Sequence, residues 1–217
     1  KFRGDKSLLS PAVKFLERRL GIKVLGVVPY FKDIKIPEED SVSLEERIPK
    51  GKYDLNEKYI DVAVIKLPHI SNFTDFDAIE KEDDVLLRYV KNAEELNTPD
   101  LIIIPGTKNT ISDLEYLKTS GVAGRIIARI SSNSPPFLLG ICGGYQMLGK
   151  KISDKYRLES NSQEIEGLGL LPMRTHLAKD KVLNQVKARE ISSGLEISGY
   201  EIHHGLSDTK GDAESFF

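Results

Sequence analysis

The 217-residue chain has one cysteine, two methionines and no tryptophan. A single cysteine cannot close an internal disulfide. No apolar run approaches the ~18 residues that a membrane-spanning helix requires. No charged-then-apolar leader opens the chain, so a reducing, cytoplasmic setting is expected. An excess of one charge is missing too: 31 basic against 33 acidic residues leave a formal net charge of −2. That balance removes any global pull toward nucleic acid or an anionic membrane, and no local basic patch replaces it. Asn72-Phe73-Thr74 has the spacing of a glycosylation sequon but reads as loop, because glycosylation needs a secretory route. Internal repeats and low-complexity tracts are absent.

What remains is an ordinary globular balance, 40% apolar and 29% charged, enough for one large or two modest domains. Ser10-Pro11 starts a helix over 11–20, with Val13, Phe15, Leu16 and Leu20 on its apolar side and Gly21 as its stop. "KVLGVVPY" then reads as a short buried strand ended by Pro29. A polar, turn-rich stretch from Lys32 to Lys58 marks a linker, dividing the chain into residues 1–57 and 58–217. The chain opens on Lys1 in what reads as the middle of a domain, and a fragment of a longer protein is expected.

From Tyr59 the rhythm changes. "YIDVAVIKL", "PDLIIIPG" and "PPFLLGI" are continuous apolar strands, with mixed loop and helix between Phe76 and Lys91. Helix is expected over 110–131 with a break near Gly121, and again from Tyr145 to Lys150. Buried strands alternating with helices predict an α/β fold, an open and mostly parallel sheet covered by helices on both faces. After Gly167 the pattern shortens, with strands at "GLGLLPM", "KVLNQVKAREI" and "ISGYEIHHG" in a more antiparallel arrangement.

Binding sites in such sheets lie outside the carboxyl ends of the strands. Two glycine-bearing turns fall there, "PGTKNT" at 105–110 and "GICGG" at 140–144. The second is Gly-x-Cys-x-Gly, formed by Gly140, Cys142 and Gly144 at a strand-to-helix junction, which is a nucleophile elbow with sulfur in place of the serine oxygen. The helix that follows directs its amino end at the sulfur and favours thiolate over thiol. N–H groups at Gly143 and near Gly106 could together form an oxyanion hole. The competing reading is a buried packing cysteine, the commoner fate of a free thiol.

Gly144 to Lys150 nearly matches a phosphate loop, but Lys151 stands where Ser or Thr should bind magnesium, and the intervening residues are bulky helix formers. Gly51-Lys52 lacks the upstream glycine. A base for Cys142 must come from His69, His176, His203 or His204 if it lies in this chain. His69 suits either a substrate contact or a satisfied turn. His176 reads as solvent-exposed. His203 and His204 are adjacent, so in a strand they face opposite ways and at most one faces the cysteine. Paired histidines without a nearby ligand partner do not make a metal site.

"LLGICGGYQMLG", "LIIIPGTKNTISDLEYL", "VAVIKLPHISNFTDFD" and "GYEIHHG" together resemble the glutamine amidotransferase domain of the cobyric acid synthase family. That domain is of the class I, flavodoxin-like type. The opening "KFRGDKSLLSPAVKFLERRLGIKVLGVVPYFKDIKIPEEDS" looks like the end of that family's preceding P-loop-type ATPase domain. The resemblance implies an enzyme that frees ammonia from glutamine and uses ATP and magnesium to amidate peripheral carboxylates of adenosylcobyrinic acid a,c-diamide, giving cobyric acid. It implies no cofactor in the glutaminase part. Under it Cys142 is the nucleophile that forms a glutamyl thioester, Gly106 and Gly143 form the oxyanion hole, and Gln146 contacts the bound glutamine. His203 would lie on the substrate-facing side, because the family's active-site histidine belongs to a later Tyr-Leu-His-Gly-like stretch that does not occur before Phe217. The ATPase domain's phosphate loop is likewise not in this sequence.

Other readings stay open at this level. The related cobyrinic acid a,c-diamide synthases share the domain order, although "KFRGD" and "SNFTDFD" favour the cobyric acid family. The glutaminase partner of a peptidoglycan-modifying ligase is disfavoured by the first 50 or so residues. A cysteine hydrolase could use the same elbow without transferring ammonia, and a binding module could keep the fold without the chemistry.

Overall fold

The computed structural model describes residues 6–27, 58–160 and 163–209. Chain contacts divide the molecule into Lys1–Glu39 and Asp40–Phe217. The boundary expected at residue 57 lies outside the described residues.

In the first unit a 3-10 turn at Lys6–Leu9 leads into helix α1, Ser10–Leu20. Pro11 occupies the first turn, where a missing N–H costs nothing. Gly21 ends the helix at φ 65°, its N–H bonded to the Glu17 carbonyl. The strand expected at "KVLGVVPY" does not form over residues 22–27, and Leu25 is 97% exposed. An extended segment needs a neighbouring strand for its N–H and C=O groups, and this unit contains none among its described residues. The last three residues of that segment lie outside the described residues.

The second unit holds two four-stranded sheets. The first is built from β1 (Ile60–Ile65), β2 (Val85–Val90), β3 (Leu101–Ile104) and β4 (Phe137–Gly140), all parallel, in the order β2-β1-β3-β4. The central strands carry continuous apolar runs because both of their faces are covered: Val62 to Ile65 and Ile102 to Ile104 are all buried. The β4 edge departs from the expected two-sided cover, since Phe137 is 82% exposed. The stretch expected as mixed loop and helix holds one turn of helix, α2 (Asp77–Glu80), and then β2. Arg88 interrupts that strand's apolar run in sequence. In space its guanidinium bonds both oxygens of Asp61 on β1, at 2.7 and 2.9 Å, and the Leu96 carbonyl at 3.0 Å.

The expected helical span after β3 is two helices, α3 (Thr110–Thr119) and α4 (Val122–Ile130), broken at Gly121 with φ 79°. Asn109 caps α3 by accepting from the Ser112 N–H at 2.9 Å. The short helix α5 (Gly143–Leu148) follows β4.

The second sheet has the order β6-β5-β7-β8, from β5 (Lys151–Ser153), β6 (Glu164–Glu166), β7 (Met173–Arg189) and β8 (Glu196–Thr209). β7 and β8 form a long antiparallel hairpin with a register shift between Leu177 and Val182. Its base is buried at Met173, Thr175 and Leu177, whereas Leu183, Tyr200 and Ile202 farther out are exposed. "GLGLLPM" is not a strand before Met173. Its N–H groups at Leu168, Leu170 and Leu171 bond instead to carbonyls of Met147 and Leu148 at the end of α5, at 2.8 to 2.9 Å.

The strand order reverses direction between β1 and β3: β1 leads to one edge of the first sheet and β3 to the other. Loops leave the carboxyl ends of these two strands at this switch point, the place where such sheets bind ligands.

Candidate active site

Three loops meet at these strand ends, 66–72 after β1, 105–109 after β3 and 141–142 after β4. The first two are stitched by a Ser71 N–H to Gly106 carbonyl bond of 2.9 Å and a Lys108 N–H to His69 carbonyl bond of 3.0 Å. The third enters α5 through Cys142, whose φ of 49° and ψ of −109° place a non-glycine residue in a conformation that L-residues rarely adopt. The sharp turn brings its own backbone close. A Cβ at Gly140 would stand 2.7 Å from the Tyr145 nitrogen, and one at Gly144 would overlap the Ile104 carbonyl. Cys142 itself is exposed, with Gly143 and Gly144 buried behind it.

Gly106 and Gly143 both lie beside the cysteine loop. A Cβ built on Gly106 would be 3.8 Å from Cys142 Cβ and 3.2 Å from Ser71 Oγ. One built on Gly143 would be 3.5 Å from the Thr107 nitrogen and 2.7 Å from Thr107 Cγ2. The backbone of 106–107 therefore lies against the first residue of α5, so two different loops come together beside Cys142.

Gln146 is 7% exposed and turns toward the second sheet. Its carboxamide packs onto Gly205 of β8, where a Cβ would overlap it, beside Thr175. His203 sits two residues earlier on β8, partly buried, with Nε2 2.8 Å from Glu201 Oε1. Among the described residues no hydrogen bond joins His203 to Cys142. His204 faces the other way, its Nδ1 3.3 Å from the Ala178 carbonyl, and His176 is exposed.

Residues without a role in the sequence reading also assemble here. Asp113 is wholly buried on α3 and meets His69 Nδ1 through Oδ1 at 2.7 Å. Its Oδ2 accepts from Thr107 Oγ1 at 2.5 Å and from the His69 N–H at 3.2 Å. The signal was present: Thr110, Asp113, Leu114 and Leu117 share one helix face, so a carboxylate lies in an apolar stripe and needs a partner. Glu159 comes from the loop after β5 and bonds the Thr110 and Ile111 N–H groups at the start of α3, at 2.6 and 3.3 Å. Burial raises its pKa above the usual 4.5, partly offset by those backbone bonds. No short motif announces that contact, because it joins segments nearly 50 residues apart.

A family model described as "CobB/CobQ-like glutamine amidotransferase domain" matches residues 61–217. Cobyric acid synthase of Desulfitobacterium hafniense is 49% identical over 227 residues, a match covering 100% of this chain and 43% of that protein. Cobyric acid synthase of Clostridium acetobutylicum is 46% identical over 216 residues, covering 100% of this chain and 42% of that protein. The adenosylcobalamin biosynthesis bifunctional protein CobDQ of Leptospira interrogans is 44% identical over 212 residues, covering 98% of this chain and 24% of that protein. The chain thus spans less than half the length of these curated relatives. With a matched family model over most of its length, on a parallel sheet whose strand ends carry a cysteine elbow, the chain belongs to the CobB/CobQ-like glutamine amidotransferase family.

Proposed function

We propose that this chain carries the glutaminase site of a glutamine-dependent amidotransferase of corrinoid biosynthesis, of the cobyric acid synthase type. The observation that carries the reading is the exposed Cys142 on a strained elbow, with the Gly106 and Gly143 backbones beside it. The Cys142 thiolate attacks the side-chain carbonyl carbon of glutamine, and the oxygen takes up the electron pair between N–H groups at Gly106 and Gly143. The nitrogen takes one proton from solvent water as the C–N bond breaks, releasing ammonia and leaving a γ-glutamyl thioester. Water then attacks the thioester carbonyl, releasing glutamate and restoring the thiolate. In this reading Gln146, one turn into α5, contacts the bound glutamine, and His203 faces the substrate side from β8.

The ammonia acceptor is a peripheral carboxylate of adenosylcobyrinic acid a,c-diamide, amidated with ATP and magnesium. The described residues do not fit a nucleotide triphosphate: the Gly144 to Lys150 spacing lies on α5 and its end, and Gly144 is packed against β3. We assign ATP and magnesium to the rest of the complete protein. Residues 1–57 read as the tail of that ATP-dependent domain. In support, the relatives' matches include the first 60 residues, which the family model leaves out.

The test uses the full-length protein. Incubation with glutamine should release glutamate, and Cys142→Ala should abolish release. Adding ATP, magnesium and adenosylcobyrinic acid a,c-diamide should give products whose mass falls by about one unit per carboxylate amidated, the difference between OH and NH2. Glutamate release that survives Cys142→Ala would remove the assignment, and unchanged corrinoid mass would remove the acceptor.

A further inference from the structure

The proposed chemistry leaves the His69, Asp113 and Thr107 cluster without a task. Asp113 is the buried centre of this cluster, and its carboxylate accepts from three donors: the His69 ring, the His69 backbone N–H and the Thr107 hydroxyl. Asp113 offers the ring only acceptor atoms, so His69 Nδ1 is assigned as the donor. Thr107 Oγ1 also lies 3.1 Å from the His69 carbonyl, but its one proton serves the shorter, charge-assisted bond of 2.5 Å to Asp113. The same oxygen accepts from the Asn109 N–H at 3.1 Å.

These bonds converge on a short piece of backbone, 106–109, which also bonds the 69–71 segment through both Ser71 and Lys108. That piece is the one whose Gly106 and Thr107 stand against Cys142 and Gly143. A loop between a strand and a helix is ordinarily among the more mobile parts of a fold. Here a buried carboxylate holds its threonine on one side and the histidine of the loop after β1 on the other. An oxyanion donor displaced by a fraction of an ångström loses most of its transition-state advantage, so the rigidity of this loop bears on rate more than on binding.

We propose that His69 is a positioning residue for the glutaminase reaction: through Asp113 and Thr107 it fixes the Gly106–Thr107 backbone that completes the oxyanion hole beside Cys142. It acts through Nδ1. The side chain is 49% exposed, yet Nε2 has no task in this assignment. This rests on the glutaminase reading above, and the experiment separates the two.

Glutamine hydrolysis by the full-length protein would be measured for kcat and KM, together with the rate at which iodoacetamide alkylates Cys142. His69→Ala should lower kcat about tenfold or more, leave KM within about threefold and leave alkylation at the parental rate, because the nucleophile is intact while the donor loop is loosened. His69→Asn supplies an amide N–H near the Nδ1 position but has no counterpart of Nε2, and should recover kcat to within about threefold of the parent. Thr107→Val keeps shape without the hydroxyl and should resemble His69→Ala. If His69→Asn is as impaired as His69→Ala, Nε2 itself takes part and the positioning role is overturned. An active parent whose His69→Ala variant keeps its kcat overturns the proposal alone, whereas a parent without glutaminase overturns it together with the reading beneath it.

Discussion

Gly144 passes so close beneath the Ile104 carbonyl that a side chain cannot stand between α5 and β3. The contact fixes how near the helix bearing the cysteine elbow can approach the strand bearing the Gly106 loop. Gly144→Ala forces the overlap of a methyl group with backbone, which no flexible side chain can relieve. Separation of α5 from β3 should cost about 1–3 kcal/mol of stability, read as a lower urea midpoint at unchanged slope. Glutamate release should fall more than the stability loss explains. A Gly144→Ala variant with parental activity would show that this approach does not set the site.

The strain at Cys142 leads to the opposite sign. A non-glycine residue at φ 49° and ψ −109° costs on the order of 1–3 kcal/mol, which the surrounding packing must hold. Cys142→Gly removes the Cβ and should raise the thermal midpoint while abolishing glutamate release. Gly140→Ala has no such compensation, since its Cβ would stand 2.7 Å from the Tyr145 backbone. Calorimetry of the two variants side by side checks both signs, and a destabilised Cys142→Gly protein would mean the elbow is not strained.

The parts of this fold that were legible in the sequence are those in which one local cause suffices. Continuous Val and Ile runs marked β1 and β3 because strands buried on both faces carry no alternation. Gly121 marked the break between α3 and α4, and the Gly-x-Cys-x-Gly spacing marked the elbow, because each is a backbone requirement written in one residue type. β2 was hidden by Arg88, whose charge argues against a buried strand until Asp61 and the Leu96 carbonyl are seen around it. The segment after α1 erred in the other direction: its apolar residues are those of a strand, but pattern alone supplies no neighbour to pair with. The contacts of the Glu159 carboxylate with α3 and the His69–Asp113 pair span 44 to 49 residues of chain, so local pattern could supply at most the misplaced charge at Asp113.

His203 offers a direct comparison with the proposed nucleophile, Cys142. Its Nε2 is engaged by Glu201 along the same strand, and Gly205 of that strand packs against Gln146. A general base must come within hydrogen-bond reach of the thiol, directly or through one water. His203→Ala should therefore keep glutamate release within about tenfold of the parent, whereas Cys142→Ala should fall to background, a loss on the order of 10⁴-fold or more for a nucleophile. Equal losses in the two variants would identify His203 as the base.

Glu159 predicts a pH dependence whose sign follows from its surroundings. Its pKa is raised above 4.5, mainly because burial disfavours the carboxylate. The folded protein therefore binds this proton more tightly than the unfolded chain does. The resulting stability is fully present below the unfolded pKa near 4.5 and is lost as pH rises through the higher folded value. Glu159→Gln keeps an oxygen to accept from the Thr110 N–H but cannot ionise. The stability of the parent minus that of the variant should thus fall as pH rises from about 4.5 toward neutrality, then level off. Urea midpoints of both proteins across that range test it. A difference that stays flat would mean the backbone N–H groups of α3 balance desolvation, and one that grows with pH would mean they outweigh it and hold the carboxylate charged in the folded state.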